Sequence, residues 1–174
     1  DAITGAYAVA YRILDVSFTP VKALLSASYP RFFQEGDKNL LSTLKFALKL
    51  LPWALCWGFI GGVGLILISS FIPFVLGENY FLVKFILPWL SVLLIFRALH
   101  FLASDTLTGS GYQGIRSGMQ ISLAVINLIL NLNWIPKYSW FGAIWASIIS
   151  DGLLALAAWS ITLFLIKQKM PQIT

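Results

Sequence analysis

Long apolar runs alternate with short polar breaks along this chain, and the polar positions inside the runs recur at helical rather than strand spacing. The runs cover about residues 3–33, 52–72, 82–107, 118–135 and 140–166. A helix needs about 20 apolar residues to cross a bilayer. The pattern therefore predicts an all-α, polytopic membrane protein with five transmembrane helices. The breaks carry turn chemistry. QEGDKN at 34–39 is the clearest loop, and LLSTLKFALKLL at 40–51 follows it. Lys45 and Lys49 lie at i,i+4 there, so 40–51 reads as an amphipathic interfacial helix entering the second span. Pro73 with Gly77-Glu78-Asn79, the Gly-rich stretch 108–118, and Pro136-Lys137-Tyr138 supply the remaining turns.

The first run is the most informative. At about 100° per residue, Arg12, Asp15, Thr19, Lys22 and Ser26 fall within roughly 80° of arc. Val9, Ile13, Val16 and Leu24 take the opposite side. A charge facing lipid at mid-membrane costs about 2.5–3.5 kcal/mol on insertion scales. Three charges on one stripe can avoid that cost by facing a wet, protein-lined cavity. The stripe therefore marks a pathway for an anionic substrate; the alternative is an Arg12–Asp15 pair at i,i+3 with Lys22 snorkelling to the interface. Pro20 sits within the stripe and predicts a kink near 16–20.

Other polar positions also share faces. Arg97, His100, Ser104 and Thr108 lie along one side of the third span, which also holds Asp105. Gln120, Ala124, Asn127 and Asn131 line one side of the fourth. Amides there either bond a neighbouring helix or touch a solute; the former is the commoner use. Gly142, Ala143, Ala146, Ser147 and Ser150 form a small-residue face on the fifth span, suited to packing on the fourth. Asp151 follows it without a local partner, which leaves a bond to another helix or proton and cation coupling. Gly58, Gly61, Gly62 and Gly64 in the second span suit close packing or bending.

Composition agrees with the pattern. The chain is 59% hydrophobic and 11% charged, against about 25% charged in soluble domains. Its formal charge of +5 sits beside the apolar spans, which points to topology and anionic membrane lipids rather than nucleic acid. One cysteine, Cys56, excludes a disulfide within the chain, and one histidine excludes any two-histidine motif. The stretch 108–118 does not match a phosphate-binding loop. No cofactor is called for.

Arg31, Lys38, Lys45, Lys49, Arg116, Lys167 and Lys169 fall at one set of span ends, and only Lys84 and Lys137 at the other. The first set should be cytoplasmic, with Asp1 outside and the C-terminus inside. Trp53, Trp89, Trp134 and Trp140 lie near span ends, as interfacial anchors would. With no initiator Met and no signal-peptide pattern before the first span, the chain reads as a piece of a longer membrane protein.

The stretch 127–151, NLILNLNWIPKYSWFGAIWASIISD, resembles the polysaccharide-type flippases of the multidrug/oligosaccharidyl-lipid/polysaccharide exporter superfamily. It supplies Asn127, Leu130, Asn131, Ile135, Pro136, Tyr138, Gly142, Ala143, Ala146, Ser147, Ile149 and Ser150, and departs at Ser139, where the pattern has Gly, and at Trp145. Gly5, Tyr7, Ala10 and Arg12 are similar to the family's G-x-Y-x-x-A-x-R segment, followed by Pro20 and Tyr29-Pro30. LGENY at 76–80 and LTGSGYQGIRS at 107–117 resemble two of its loops. The resemblance implies two six-helix bundles around a cavity opened alternately to each side. Residues 1–174 would then be most of the second, C-terminal bundle, helices eight to twelve, and the N-terminal bundle would be a partner in the same chain.

The resemblance also implies the substrate: undecaprenyl-diphosphate-linked oligosaccharide, flipped across the inner membrane for cell-surface polysaccharide and O-antigen assembly, with no covalent chemistry. Arg12, Lys22 and Arg97 are the expected diphosphate contacts, with Asp15 holding Arg12. Arginine offers phosphate a bidentate fork and lysine a point charge. The alternatives are a cation-coupled drug exporter of the same superfamily, a membrane polymerase or ligase of glycan assembly, and a non-transporting scaffold. The short outer loops and the lack of a nucleophile–base or metal-ligand constellation weigh against the enzyme.

Overall fold

The computed structural model describes residues 2–169, and side chains from 3 to 168. Asp1 and the C-terminal tail after residue 169, both part of the topology reading, lie outside the described residues. Every regular element among the described residues is helical. In order they are α1 (Ala2–Ser17), α2 (Thr19–Gly36), α3 (Leu40–Ser69), α4 (Ile72–Leu76), a 3-10 turn (Glu78–Tyr80), α5 (Val83–Ser91), α6 (Leu93–Gly109), α7 (Gln113–Tyr138) and α8 (Trp140–Lys169).

Four stretches are long and apolar enough to cross a membrane: Leu40–Ser69, Val83–Gly109, Gln113–Tyr138 and Trp140–Gln168. Their outward faces remain apolar, with Trp53, Phe59, Leu67, Ile121, Leu132, Leu156 and Phe164 all exposed. Such a surface suits lipid and not water.

The first run breaks within the stretch where Pro20 predicts a kink. The helix is interrupted at Phe18, between α1 and α2, because proline has no N–H for the carbonyl four residues back. The Trp57 indole of α3 donates to the Ser17 carbonyl at 3.2 Å, so a neighbouring helix serves backbone at the break. The stripe that packs inward is Ala6, Ala10, Leu14, Phe18, Val21 and Leu25. At helical spacing its centre lies roughly 140° from the charged stripe. The charges therefore face away from the packed core.

The core gathers on α5 and α6. Ile86, Leu87, Leu90, Leu93, Leu94, Ala98 and Leu102 are fully buried there. α3 lies against them through its glycines: a side chain on Gly58 would meet the Leu94 carbonyl at 3.5 Å, and one on Gly62 the Ser91 carbonyl at 3.6 Å. Close packing is seen at Gly58, Gly61 and Gly62, whereas Gly64 has open space around it. The 40–51 stretch is helical and runs without a break into the second span as the first part of α3, begun by Asn39, whose side chain accepts from the Ser42 N–H at 2.8 Å. Before it, Glu35 accepts from the Ser42 hydroxyl and pairs with Lys38 at 3.0 Å. The Ser42 bond and then Lys38 hold the Glu35 carboxyl below its usual range.

Two turns are tighter than the sequence indicates. The stretch 108–118 reads as a loop, but α6 runs to Gly109 and α7 begins at Gln113. Gly111, at φ 83°, closes α6 in a Schellman arrangement: Tyr112 N–H bonds the Leu107 carbonyl at 2.8 Å, and Gly111 N–H the Thr108 carbonyl at 3.0 Å. Residues 136–138 likewise stay helical, and the chain turns at Ser139, a non-glycine residue at φ 53°. Its neighbour Gly142 lets α8 pass the end of α7, since a side chain there would stand 2.6 Å from the Trp134 carbonyl.

The ends of α2 and α6 touch backbone to backbone at Gly36 and Gly109, where a Gly109 side chain would lie 2.5 Å from the Phe32 carbonyl. Overpacking costs about 1–3 kcal/mol. Gly109→Ala should lower the thermal unfolding midpoint in detergent, while Gly114→Ala, with open space around it, should not. Ser139→Gly should raise that midpoint, because glycine accepts positive φ without the Cβ clash.

Candidate functional site

Arg97 is the most enclosed of the ion-paired cations among the described residues. It projects from α6 with a side chain only 11% exposed. Its Nη1 donates to Asp15 Oδ1 of α1 at 2.6 Å, and its Nε to Asp151 Oδ2 of α8 at 3.5 Å. Nη2 donates to the Tyr11 hydroxyl, and the guanidinium lies 5.0 Å from the Tyr11 ring centroid. One cation thus faces two carboxylates and an aromatic ring, and three helices meet on it.

This overturns the expectation that Asp15 holds Arg12. Of the two α1 charges Asp15 lies nearer the packed side, within reach of a guanidinium that burial leaves dependent on protein partners. Arg12, about 60° further round the helix, is exposed, with no ion-pair partner among the described residues. Asp151 finds the interhelical partner that its own helix lacks. Arg97, also expected to touch substrate, uses its fork to tie α1, α6 and α8 together.

Lys22 stands elsewhere. It lines an open cleft of about 490 Å³ with Ser26 and Tyr29 of α2, Phe101 and Asp105 of α6, and Arg116 of α7. Arg116 Nη1 donates to Asp105 Oδ1 at 3.2 Å and to Thr108 Oγ1 at 2.8 Å. That leaves Nη2 and Nε of the fork free of the ion pair. Two cations face one carboxylate, so the cleft carries a net positive charge, with the Tyr29 and Phe101 rings beside it. Sequence reasoning assigns Arg116 to a cytoplasmic loop and misses it as a cleft residue. The missing signal is the Gly111 turn, which puts Arg116 in the first turn of α7, opposite Asp105.

Two further hollows lie against α7 and α8 and share Asn127 and Ser147. One of about 290 Å³ is bordered by Tyr11, Gln120, Asn127 and Asp151. Another of about 450 Å³ lies between Tyr7, Asn131 and Ser147. Of the amides anticipated on α7, Asn127 bonds the neighbouring helix, its Nδ2 donating to the Ala146 carbonyl at 3.2 Å and to Ser150 Oγ at 3.1 Å, while Asn131 bonds back to Asn127 within α7 at 2.9 Å. Among the described residues no group of three His, Cys, Asp or Glu side chains is placed to hold a metal ion.

Breaking a buried ion pair by removing one partner costs about 3–5 kcal/mol. Asp15 is 45% exposed, so its share lies at or below the lower bound. A double-mutant cycle of Asp15→Asn with Arg97→Gln should show coupling of about 1 kcal/mol or more in thermal or denaturant unfolding. The same cycle with Arg12→Gln should give coupling near zero. Equal coupling would restore the Arg12–Asp15 pair.

Comparisons with protein families, curated proteins and solved structures found no match to this chain.

Proposed function

We propose that this chain is the C-terminal bundle of an inner-membrane flippase. It moves undecaprenyl-diphosphate-linked oligosaccharide from the cytoplasmic to the outer leaflet. In this reading the broken α1–α2 rod is the fifth membrane span, and its charged side faces the N-terminal six-helix bundle across a hydrated passage. Transport proceeds by alternation of the two bundles around that passage.

The observation that carries the reading is the Lys22–Arg116 cleft. A diphosphate leaving water needs cationic partners, because an isolated buried anion is prohibitively costly. Lys22 offers a point charge and Arg116 the free edge of a fork already oriented by Asp105 and Thr108. Tyr29 and Phe101 offer apolar faces beside them. Arg12 is exposed on the same outward side and meets the substrate further along. Arg97 acts as a positioning group. The substrate class itself comes from the family resemblance.

One observation favours a second reading, the cation-coupled drug exporter: Asp15 and Asp151 share a single guanidinium, which leaves one carboxylate in excess. Purified protein in vesicles separates the two. The flippase translocates lipid-linked oligosaccharide, whereas the exporter moves a cationic dye against an imposed ion gradient and leaves the lipid in place.

Lys22→Gln and Arg116→Gln should each lower lipid-linked sugar reaching the outer leaflet by roughly tenfold, the scale of one charge-assisted contact, with membrane insertion unchanged. Normal flipping in the double variant would end the diphosphate reading. For topology, cysteines placed at Asp37 and Lys137 in a Cys56→Ser background should be labelled from outside only at Lys137. Labelling only at Asp37 would reverse the orientation.

A further inference from the structure

The connection between α3 and α5 exposes apolar side chains where a turn is ordinarily polar. It runs from Ser69, the end of α3, to Val83, the start of α5, through α4 and the 3-10 turn. Pro73 lies in the first turn of α4, and Gly77 ends it at φ 95°. Ile72 and Val83 are buried, which pins both sides of the connection to the core. What these anchors leave outside is apolar. Phe74 is 89% exposed and Val75 80%, with Phe71 exposed beside them. Phe81 and Phe85 are exposed as well, and their rings meet edge-on at 5.4 Å. A contiguous apolar patch of this kind marks a surface for a membrane or a partner. The turn joins two membrane-length stretches, Leu40–Ser69 and Val83–Gly109, so it stands where a bilayer's chains give way to its headgroups.

The same turn borders a hollow of about 450 Å³, lined by Ser70, Pro73, Phe74, Glu78, Phe81 and Lys84. Sites for small ligands span about 300–1,000 Å³. The two charged side chains here have opposite sign. Neither has an ion-pair or side-chain hydrogen-bond partner among the described residues. Lys38 and Glu35, also at a helix end, do pair, at 3.0 Å. Glu78 and Lys84 instead border one opening without closing on each other.

That charge pattern selects an occupant. A simple anion would gain Lys84 but meet repulsion from Glu78, and a simple cation would meet the reverse. A headgroup that carries both signs satisfies both side chains. Its phosphate accepts from the Lys84 ammonium, a compact point charge. Its ammonium, if primary, donates N–H to the Glu78 carboxylate in a charge-assisted bond. Phe74 and Phe81 line the hollow and are themselves exposed, so the headgroup site continues into an apolar wall. A soluble zwitterion has no use for that wall, whereas acyl chains do.

We propose that the hollow beside α4 holds the headgroup of a phospholipid bearing a phosphate and a primary ammonium, of the phosphatidylethanolamine type. Lys84 takes the phosphate, Glu78 the ammonium, and Phe74 and Phe81 the upper acyl chains. The site stands on this turn and not on the transport reading; a scaffold or an exporter with the same turn would hold the same lipid.

The test uses phosphatidylethanolamine and phosphatidylglycerol probes, each with a diazirine near the carboxyl end of one acyl chain. Purified protein is placed in nanodiscs of phosphatidylcholine, whose headgroup has no N–H, with either probe at trace level. Crosslinks are mapped by mass spectrometry. Residues 70–85 should take up the ethanolamine probe several-fold more than the glycerol probe. Lys84→Gln should lower that uptake several-fold, and Glu78→Gln should bring the two probes level. Lys137→Gln should change neither. Since neither Glu78 nor Lys84 is paired, the thermal midpoint should hold in both variants, which separates lost binding from lost fold. Excess unlabelled phosphatidylethanolamine should displace the probe, and soluble glycerophosphoethanolamine should not. Glycerol-probe labelling equal to or above that of the ethanolamine probe overturns the proposal. So does a preference that both variants leave intact, or displacement by the soluble headgroup as effective as by the lipid.

Discussion

A guanidinium taken out of water must be given counter-charge and hydrogen-bond acceptors by the protein, and here three helices are arranged to do so. Arg97 sits on α6, the most buried helix, and draws Asp15 and Tyr11 from α1 and Asp151 from α8. The cost of leaving that cation unpaired exceeds what any single apolar contact contributes. It therefore fixes the rotation of α1 about its own axis. Once Asp15 faces α6, the alanine–leucine stripe must face the core, and Arg12 and Lys22 must face outward. The placement of every other charge on the first run follows from this one pairing.

Apart from the Arg116–Asp105 pair between α7 and α6, the rest of the bundle is held by means that need no charge. Glycines at 58 and 62 bring α3 onto α5 and α6, Gly142 brings α8 past α7, and Asn127 binds the α8 backbone and Ser150. The Trp159 indole donates to the Leu99 carbonyl at 3.1 Å, tying α8 to α6 from the other side. In a lipid environment, where apolar burial between helices brings little advantage, close backbone approach and interhelical hydrogen bonds are the available forces. Close approach marks the contacts of α3 with α5 and α6 and of α2 with α6, an indole bond marks that of α8 with α6, and the α7–α8 interface has both.

These interfaces divide what the residues reveal in order from what they reveal only in space. The period of apolar positions and the Pro20 break are local properties, so the helices and the break could be read along the chain. The small-residue face of α8 and the amides of α7 were legible for the same reason: each presents its chemistry on one side of one helix. The pairing of Asp15 was not. Helical spacing brings Arg12 and Asp15 onto one face, but the choice between a neighbour three residues away and one 82 residues away depends on how α1 packs on α6. Arg116 was hidden by a turn whose two bonds need only three residues, where a run of glycines and polar residues suggested eleven. Lys22 could be placed on a polar side, but its company of Ser26, Asp105 and Arg116 comes from three helices at once.

The interruption at Phe18 has a mechanical meaning once both ends of the rod are considered. Near one end, α1 is clamped by the Arg97 cluster; at the other, α2 is wedged against Gly109 with no side chain between the backbones. Between these fixed points the proline leaves one main-chain bond unmade. A beam held at both ends and notched at its centre yields by bowing at the notch. Lys22 stands one turn beyond that notch, so flexure of the rod would alter the width of the cleft it lines while the two clamps stay still.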